Sequence, residues 1–145
     1  MTTSTNFDAF QALDPFFRII AEGLEGLVDG GHFFEFLADD VVFEFIITVP
    51  EYPRRVVGRT QLMELYRGYG ATFVLDRCYD LMVYRAGSTV VLEYASQGKV
   101  VTTGHPYGNR YISVVTINDR KITHWRDYLD PLAVFDALGW PSPTH

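Results

Sequence analysis

The stretch KITHWRDYLDPLAVFDALG, residues 121–139, joins a strand pattern to a helix pattern and holds His124, Arg126, Asp127 and Asp130 close together. Successive side chains of a strand point to opposite faces. Thr123, Trp125, Asp127 and Leu129 therefore share one face, and Ile122, His124, Arg126 and Tyr128 share the other. Trp125 and Leu129 make the Asp127 face apolar, which marks it as the side covered by the rest of the protein. Asp130 has a different task. It precedes Pro131, and Leu132, Phe135 and Leu138 follow at helical spacing before Gly139. That is a capping aspartate, a proline at the first helical position and a terminating glycine.

The same alternation runs backward through the second half of the chain. YDLMVYR, TVVLEYAS, KVVTTG and NRYISVVTI are β-branched or aromatic runs. Turns are expected at Ala86-Gly87-Ser88, Gln97-Gly98, Gly104-His105-Pro106 and Asn118-Asp119. The first half is helical by period. Asp14-Pro15 opens a helix through Phe17, Ile20, Leu24 and Leu27, with Gly30-Gly31 as its stop, and HFFEFLADD is a second, short helix. VVFEFIITV is the first strand, and Thr60 caps another long helix through Leu62, Leu65, Tyr66 and Tyr69. Helices followed by an antiparallel meander predict an α+β fold, one domain over residues 1–145, with helices packed on one face of a curved sheet. On the other face Ile112, Val114 and Val91 are as apolar as the inward set, so a second copy of the chain is expected to cover it as a homodimer.

Composition narrows the function. The net charge is −6 without a basic cluster, so neither nucleic acid nor an anionic membrane is an expected partner. Cys78 is the single cysteine, which excludes an intrachain disulfide and fits a reducing compartment. MTTSTNFDAFQ lacks the basic and apolar segments of a secretory leader, and no apolar run is long enough to span a bilayer. A cytoplasmic location is the expectation. There is no histidine cluster with metal spacing and no Gly-rich phosphate loop, so no metal or cofactor is expected. With 11 Phe, 9 Tyr and 2 Trp, an interior rich in rings and hydroxyls is expected instead.

TGHPYGNRYISVVTINDRKITHWRDYLDPLAVFDALG resembles the closing half of SnoaL-like proteins, in the ketosteroid isomerase and nuclear transport factor 2 superfamily. FLADDVVFEF, followed after a proline-rich loop by VGRTQLMELY, resembles the front half. The resemblance implies a cone-shaped barrel, a curved antiparallel sheet wrapped around a pocket closed by the N-terminal helices, and commonly a dimer. ITHWRDYLD is also similar to the last strand of limonene epoxide hydrolases, with Asp127 at their acidic position. Their arginine and second aspartate are matched here by Tyr94 and Ser96, and their water-positioning residues by Phe43 and Phe45, so that constellation is missing. The ketosteroid isomerase acids fall near Phe45 and Ser113 and are missing too.

A carboxylate on an apolar face is costly unless it is hydrogen-bonded or protonated, and such a group suits general acid or base work. The alternative for Asp127 is a structural aspartate bonded to a backbone amide or a tyrosine. If the family fold holds, Tyr94 and Ser96 on one strand and Asn109, Tyr111 and Ser113 on the next face the same cavity as Asp127. Phe43, Phe45, Tyr69, Phe73, Trp125 and Leu129 would form its walls. The expected activity is cofactor-independent acid/base chemistry of isomerase, cyclase or dehydratase type on a small hydrophobic oxygenated molecule. Asp127 would carry the proton and Tyr94, Tyr111 or Asn109 would stabilise a developing oxyanion. The alternative is a non-catalytic binder of a similar molecule. His105, in the turn TGHPYG, is a minor candidate base.

Overall fold

In the computed structural model, which describes residues 7–139, the change of period seen in the sequence falls at Phe73. Before it lie a 3-10 turn (Asp8–Leu13), α1 (Asp14–Gly23), α2 (Phe33–Phe36), β1 (Leu37–Ile47), a short edge strand β2 (Arg55–Val57) and α3 (Arg59–Thr72). After it come β3 (Phe73–Ala86), β4 (Thr89–Val100), β5 (Pro106–Asn118), β6 (Lys121–Leu129) and α4 (Pro131–Leu138). The reading of the first six residues as free of a leader lies outside the described residues.

The strands form one curved, open, six-stranded sheet in the order β2-β1-β6-β5-β4-β3. Hairpins connect β3 to β6 as expected, but the sheet is mixed and not antiparallel throughout, because β1 lies parallel to β6. Strands so far apart in the chain carry no local turn signal for their pairing, and a long crossover makes the parallel arrangement possible. Phe43 faces Trp125 and Phe45 faces Asp127 across that junction.

Several boundaries move, each for a physical reason. The first helix stops at Gly23, ahead of Gly30-Gly31, where α1 presses on β4: a Cβ on Gly23 would lie 2.8 Å from Leu92 Cδ2. The second helix ends at Phe36, because Leu37–Asp40 already belong to β1. Its start is capped by His32, whose Nδ1 accepts the Phe34 amide at 3.2 Å. Gly58, at φ 97°, and not Thr60, precedes α3. Gln97-Gly98 is no turn but lies inside β4. A side chain at Gly98 would run into the Val74 carbonyl oxygen, so this glycine marks a close approach of β4 to β3.

The alternation holds except at Ile122, expected on the outer face with His124 but fully buried, because the β5–β6 register shifts between the Thr116–His124 and Ile117–Ile122 pairs. Val90, Leu92 and Tyr94 on β4, Ser113 and Val115 on β5, and Ile122 and Trp125 on β6 are all buried. On the opposite face Ile112 is 42%, Tyr84 46% and Met82 51% exposed. There His124 Nε2 meets Glu44 Oε1 at 2.7 Å, and Arg126 donates to the Tyr128 hydroxyl at 2.9 Å. Asp130 caps α4 by accepting the Leu132 amide at 3.0 Å, and Gly139 ends it in the left-handed conformation. No helix among the described residues is long and apolar enough to cross a membrane.

Candidate active site

Between the concave face of the sheet and the helices is a cavity of about 310 Å³. Residues from the 3-10 turn, every helix but α2, the β1–β2 loop and the inner faces of β1, β3, β4, β5 and β6 line it. Of the residues singled out in the sequence, Asp127, Tyr94, Tyr111, Phe45, Tyr69, Phe73 and Leu129 reach the cavity. Phe43, Trp125, Ser96, Ser113 and Asn109 do not; they form the layer behind its wall. Phe43 and Trp125 are fully buried and stack on each other, rings 5.1 Å apart and 5° from parallel, so they are packing and not a contact surface.

Asp127 is held from one side only. Trp125 Nε1 donates to its Oδ1 at 2.8 Å, and the Ser113 hydroxyl donates to the same oxygen at 2.9 Å. The single Ser113 proton is used in this way, so the Tyr94 hydroxyl, 2.7 Å from Ser113 Oγ, is the donor in their bond. The chain of donation runs Tyr94 to Ser113 to Asp127. Among the described residues none donates a hydrogen bond to Oδ2, yet it is not a closed-off orphan. It faces the cavity, and when the carboxyl is protonated the proton belongs there, since Oδ1 is already accepting twice. Asp127 is open to the cavity but surrounded by protein, and this loss of hydration raises its pKa to about 6, against the pull of the Trp125 and Ser113 hydrogen bonds.

Tyr66, from α3, and Tyr52, from the loop after β1, also line the cavity. Both hydroxyls are pushed up, first by burial and next by the Asp127 charge, which places them near the acid. Among the described residues neither hydroxyl has a side-chain hydrogen-bond partner and neither is sealed off, so each is available to the cavity. Sequence reasoning missed both as site residues. Tyr66 read as one member of a helix stripe, and Tyr52 sits between prolines where no periodicity indicates a direction.

Asn109 proves to be structural. Its amide donates to the Tyr107 hydroxyl at 2.8 Å and the Asp130 carbonyl at 3.1 Å, while its oxygen accepts from the Arg110 and Asp130 amides at 2.7 and 3.0 Å. Two donors and two acceptors are thus all engaged, leaving nothing for a bound molecule. The side chain acts as a clamp on the junction of β6 and α4. Ser96 contacts the Tyr111 hydroxyl at 2.9 Å. His105 is outside the cavity, 3.8 Å from Asp136 of α4. Among the described residues no Lys, Arg or His lines the cavity, and no cluster of His, Cys, Asp or Glu is arranged to hold a metal.

The sequence profile of the SnoaL-like domain matches residues 16–125. The uncharacterized protein YesE of Bacillus subtilis is 34% identical over 103 residues, covering 70% of each chain. A crystal structure of a candidate isomerase from Bacillus subtilis superimposes with a TM-score of 0.71 at 30% identity, over 90% of this chain and 92% of that one. A candidate polyketide cyclase from Xanthomonas campestris has the same fold, with a TM-score of 0.65 at 18% identity over 90% and 96% of the two chains.

Proposed function

The chain belongs to the SnoaL-like domain family, and we propose that it is a cofactor-independent acid/base enzyme acting on a small hydrophobic oxygenated molecule. The reaction is of isomerase, cyclase or dehydratase type, a range that includes the isomerase and cyclase named for proteins of similar structure. One observation carries the reading. In a cavity walled by rings, a single carboxyl has one oxygen fixed by two donors and the other turned inward, with a pKa of about 6. A group with that value near neutral pH exists in useful amounts in both forms and can take a proton and return it.

The step we derive is proton transfer at carbon next to a carbonyl. With the carbonyl oxygen hydrogen-bonded to Tyr66 or Tyr52, Asp127 Oδ2 removes the α-proton. The C–H pair moves into the new C=C bond, and the carbonyl π pair moves to oxygen. The neutral tyrosine hydroxyls stabilise that oxyanion, and burial keeps them protonated while they do so. The acid form of Asp127 then delivers the same proton to another carbon, an oxygen or a leaving group. The Tyr94 hydroxyl and Ser113 position the carboxyl; Ser113 stands behind the wall, and Tyr94 meets the substrate only through its ring.

The test is hydrogen–deuterium exchange at the α-carbon of a panel of small neutral ketones, followed by NMR in D₂O. The wild-type protein should catalyse exchange that rises as pH passes about 6, as the carboxylate form accumulates. Asp127→Asn should lower it by about 10²–10⁴-fold. Equal exchange by the two proteins would remove Asp127 from the chemistry.

A further inference from the structure

A second group of hydroxyls lies at the other end of the cavity. Tyr94 and Tyr111 face each other across β4 and β5, their rings stacked 5.1 Å apart, and each leans over the other's strand in the opposite direction. Tyr94 reaches Ser113 and Tyr111 reaches Ser96. Ser96 pairs with Asn109, four positions before Ser113 on β5, which at ~3.4 Å per residue separates the two serines by roughly 14 Å. The two tyrosine hydroxyls therefore lie at opposite ends of the stacked pair, on the order of 10 Å apart. Asp127 belongs to the Ser113 end.

At the Ser96 end three tyrosines meet. The Tyr107 hydroxyl accepts from Asn109 at 2.8 Å and lies 3.4 Å from the Tyr111 hydroxyl, with the Tyr69 hydroxyl as a further hydrogen-bonding neighbour of both. Tyr69 lies against both, its hydroxyl pushed up by burial and by those two neighbours. All three line the cavity, and the faces of the stacked Tyr94 and Tyr111 rings lie between the two ends. Apolar ring faces leading to a cluster of neutral hydroxyls at the far end are an arrangement for a molecule with oxygen at both ends.

We infer that Tyr69, Tyr107 and Tyr111 form a distal subsite for a second substrate oxygen, so that the substrate is an elongated, uncharged molecule carrying a carbonyl or hydroxyl at each end. The oxygens are neutral ones, because among the described residues no cationic side chain lines the cavity to pair a carboxylate or phosphate. This assignment rests on the reading of Asp127 as the reacting end.

The test is equilibrium binding and not turnover, which keeps its failure separate from that of the proposed chemistry. The probes are 4-hydroxybiphenyl and 4,4′-dihydroxybiphenyl, titrated calorimetrically. The wild type should bind the diol about tenfold more tightly than the mono-ol, the effect of one added hydrogen bond in a dry site. Tyr107→Phe should bring that ratio close to one, and Ser96→Ala, a milder change, should lower it. Asp127→Asn should keep it, since its amide still bonds the proximal oxygen. A ratio near one in the wild type, an unchanged ratio in both distal variants, or no binding of either probe would overturn the subsite. A ratio that behaves as expected in a protein without exchange activity would leave the subsite standing and sink the enzyme.

Discussion

Replacing Asp127 by asparagine tests the desolvation of this side chain directly, through stability. The folded-state pKa is about 6, above the value of roughly 4 for an aspartate in an unfolded chain. Between those values the folded protein holds a proton that the unfolded chain has lost. By linkage, stability then falls as pH rises through the window from about 4 to 6, and is level above it. Two units of difference at ~1.4 kcal/mol each give about 3 kcal/mol lost above pH 6. That figure is an upper bound, since cavity water can solvate Oδ2. Asparagine carries no charge at any pH, and its oxygen can still accept from Trp125 and Ser113. The variant should therefore match the wild type within ~1 kcal/mol near pH 4 and exceed it by up to ~3 kcal/mol near pH 7.5. Urea unfolding of both proteins across this range measures it, and every other titrating group cancels in the difference. In thermal melts the gain at pH 7.5 corresponds to roughly 10 °C for a chain of this size. A stability difference that stays flat from pH 4 to 8 would mean that Asp127 is as well hydrated folded as unfolded, and the argument for a raised pKa would fall.

We propose that the exposed apolar surface around Ile112, Met82 and Tyr84 is covered by a second copy of the chain. Light scattering should then report about twice 16.5 kDa, and Ile112→Lys should shift the protein towards monomer; a wild-type monomer at micromolar concentration would refute it. Gly98→Ala should destabilise the fold by about 3 kcal/mol or more, because its methyl group would overlap the Val74 carbonyl; a melting temperature within a degree or two of wild type would show that the β3–β4 approach is looser than described.

Much of this site was written into the sequence, and the reason is local geometry. The period of two places Asp127 on the face of Trp125 and Leu129 whatever the strand pairs with. The Asp130-Pro131 start and Gly139 end of α4 are set by backbone rules that act within a turn. The same parity placed Tyr94, Ser96, Tyr111 and Ser113 on the inner side, and it went no further, because facing inward is not the same as reaching the cavity. Ser113 and Ser96 are too short to pass their tyrosine neighbours, so they became the supports of Asp127 and Tyr111. Asn109 could not be assigned from its strand, since the amide and carbonyl it clamps belong to Asp130, brought beside it only when β5 and β6 pair. The parallel contact of β1 with β6, the approach that requires Gly98, and the free inward oxygen of Asp127 all depend on atoms distant in the chain. Periodicity fixes which way a side chain points from its own backbone. Only the packed structure decides what it meets there, because hydrogen-bond partners and the loss of water are properties of the surroundings.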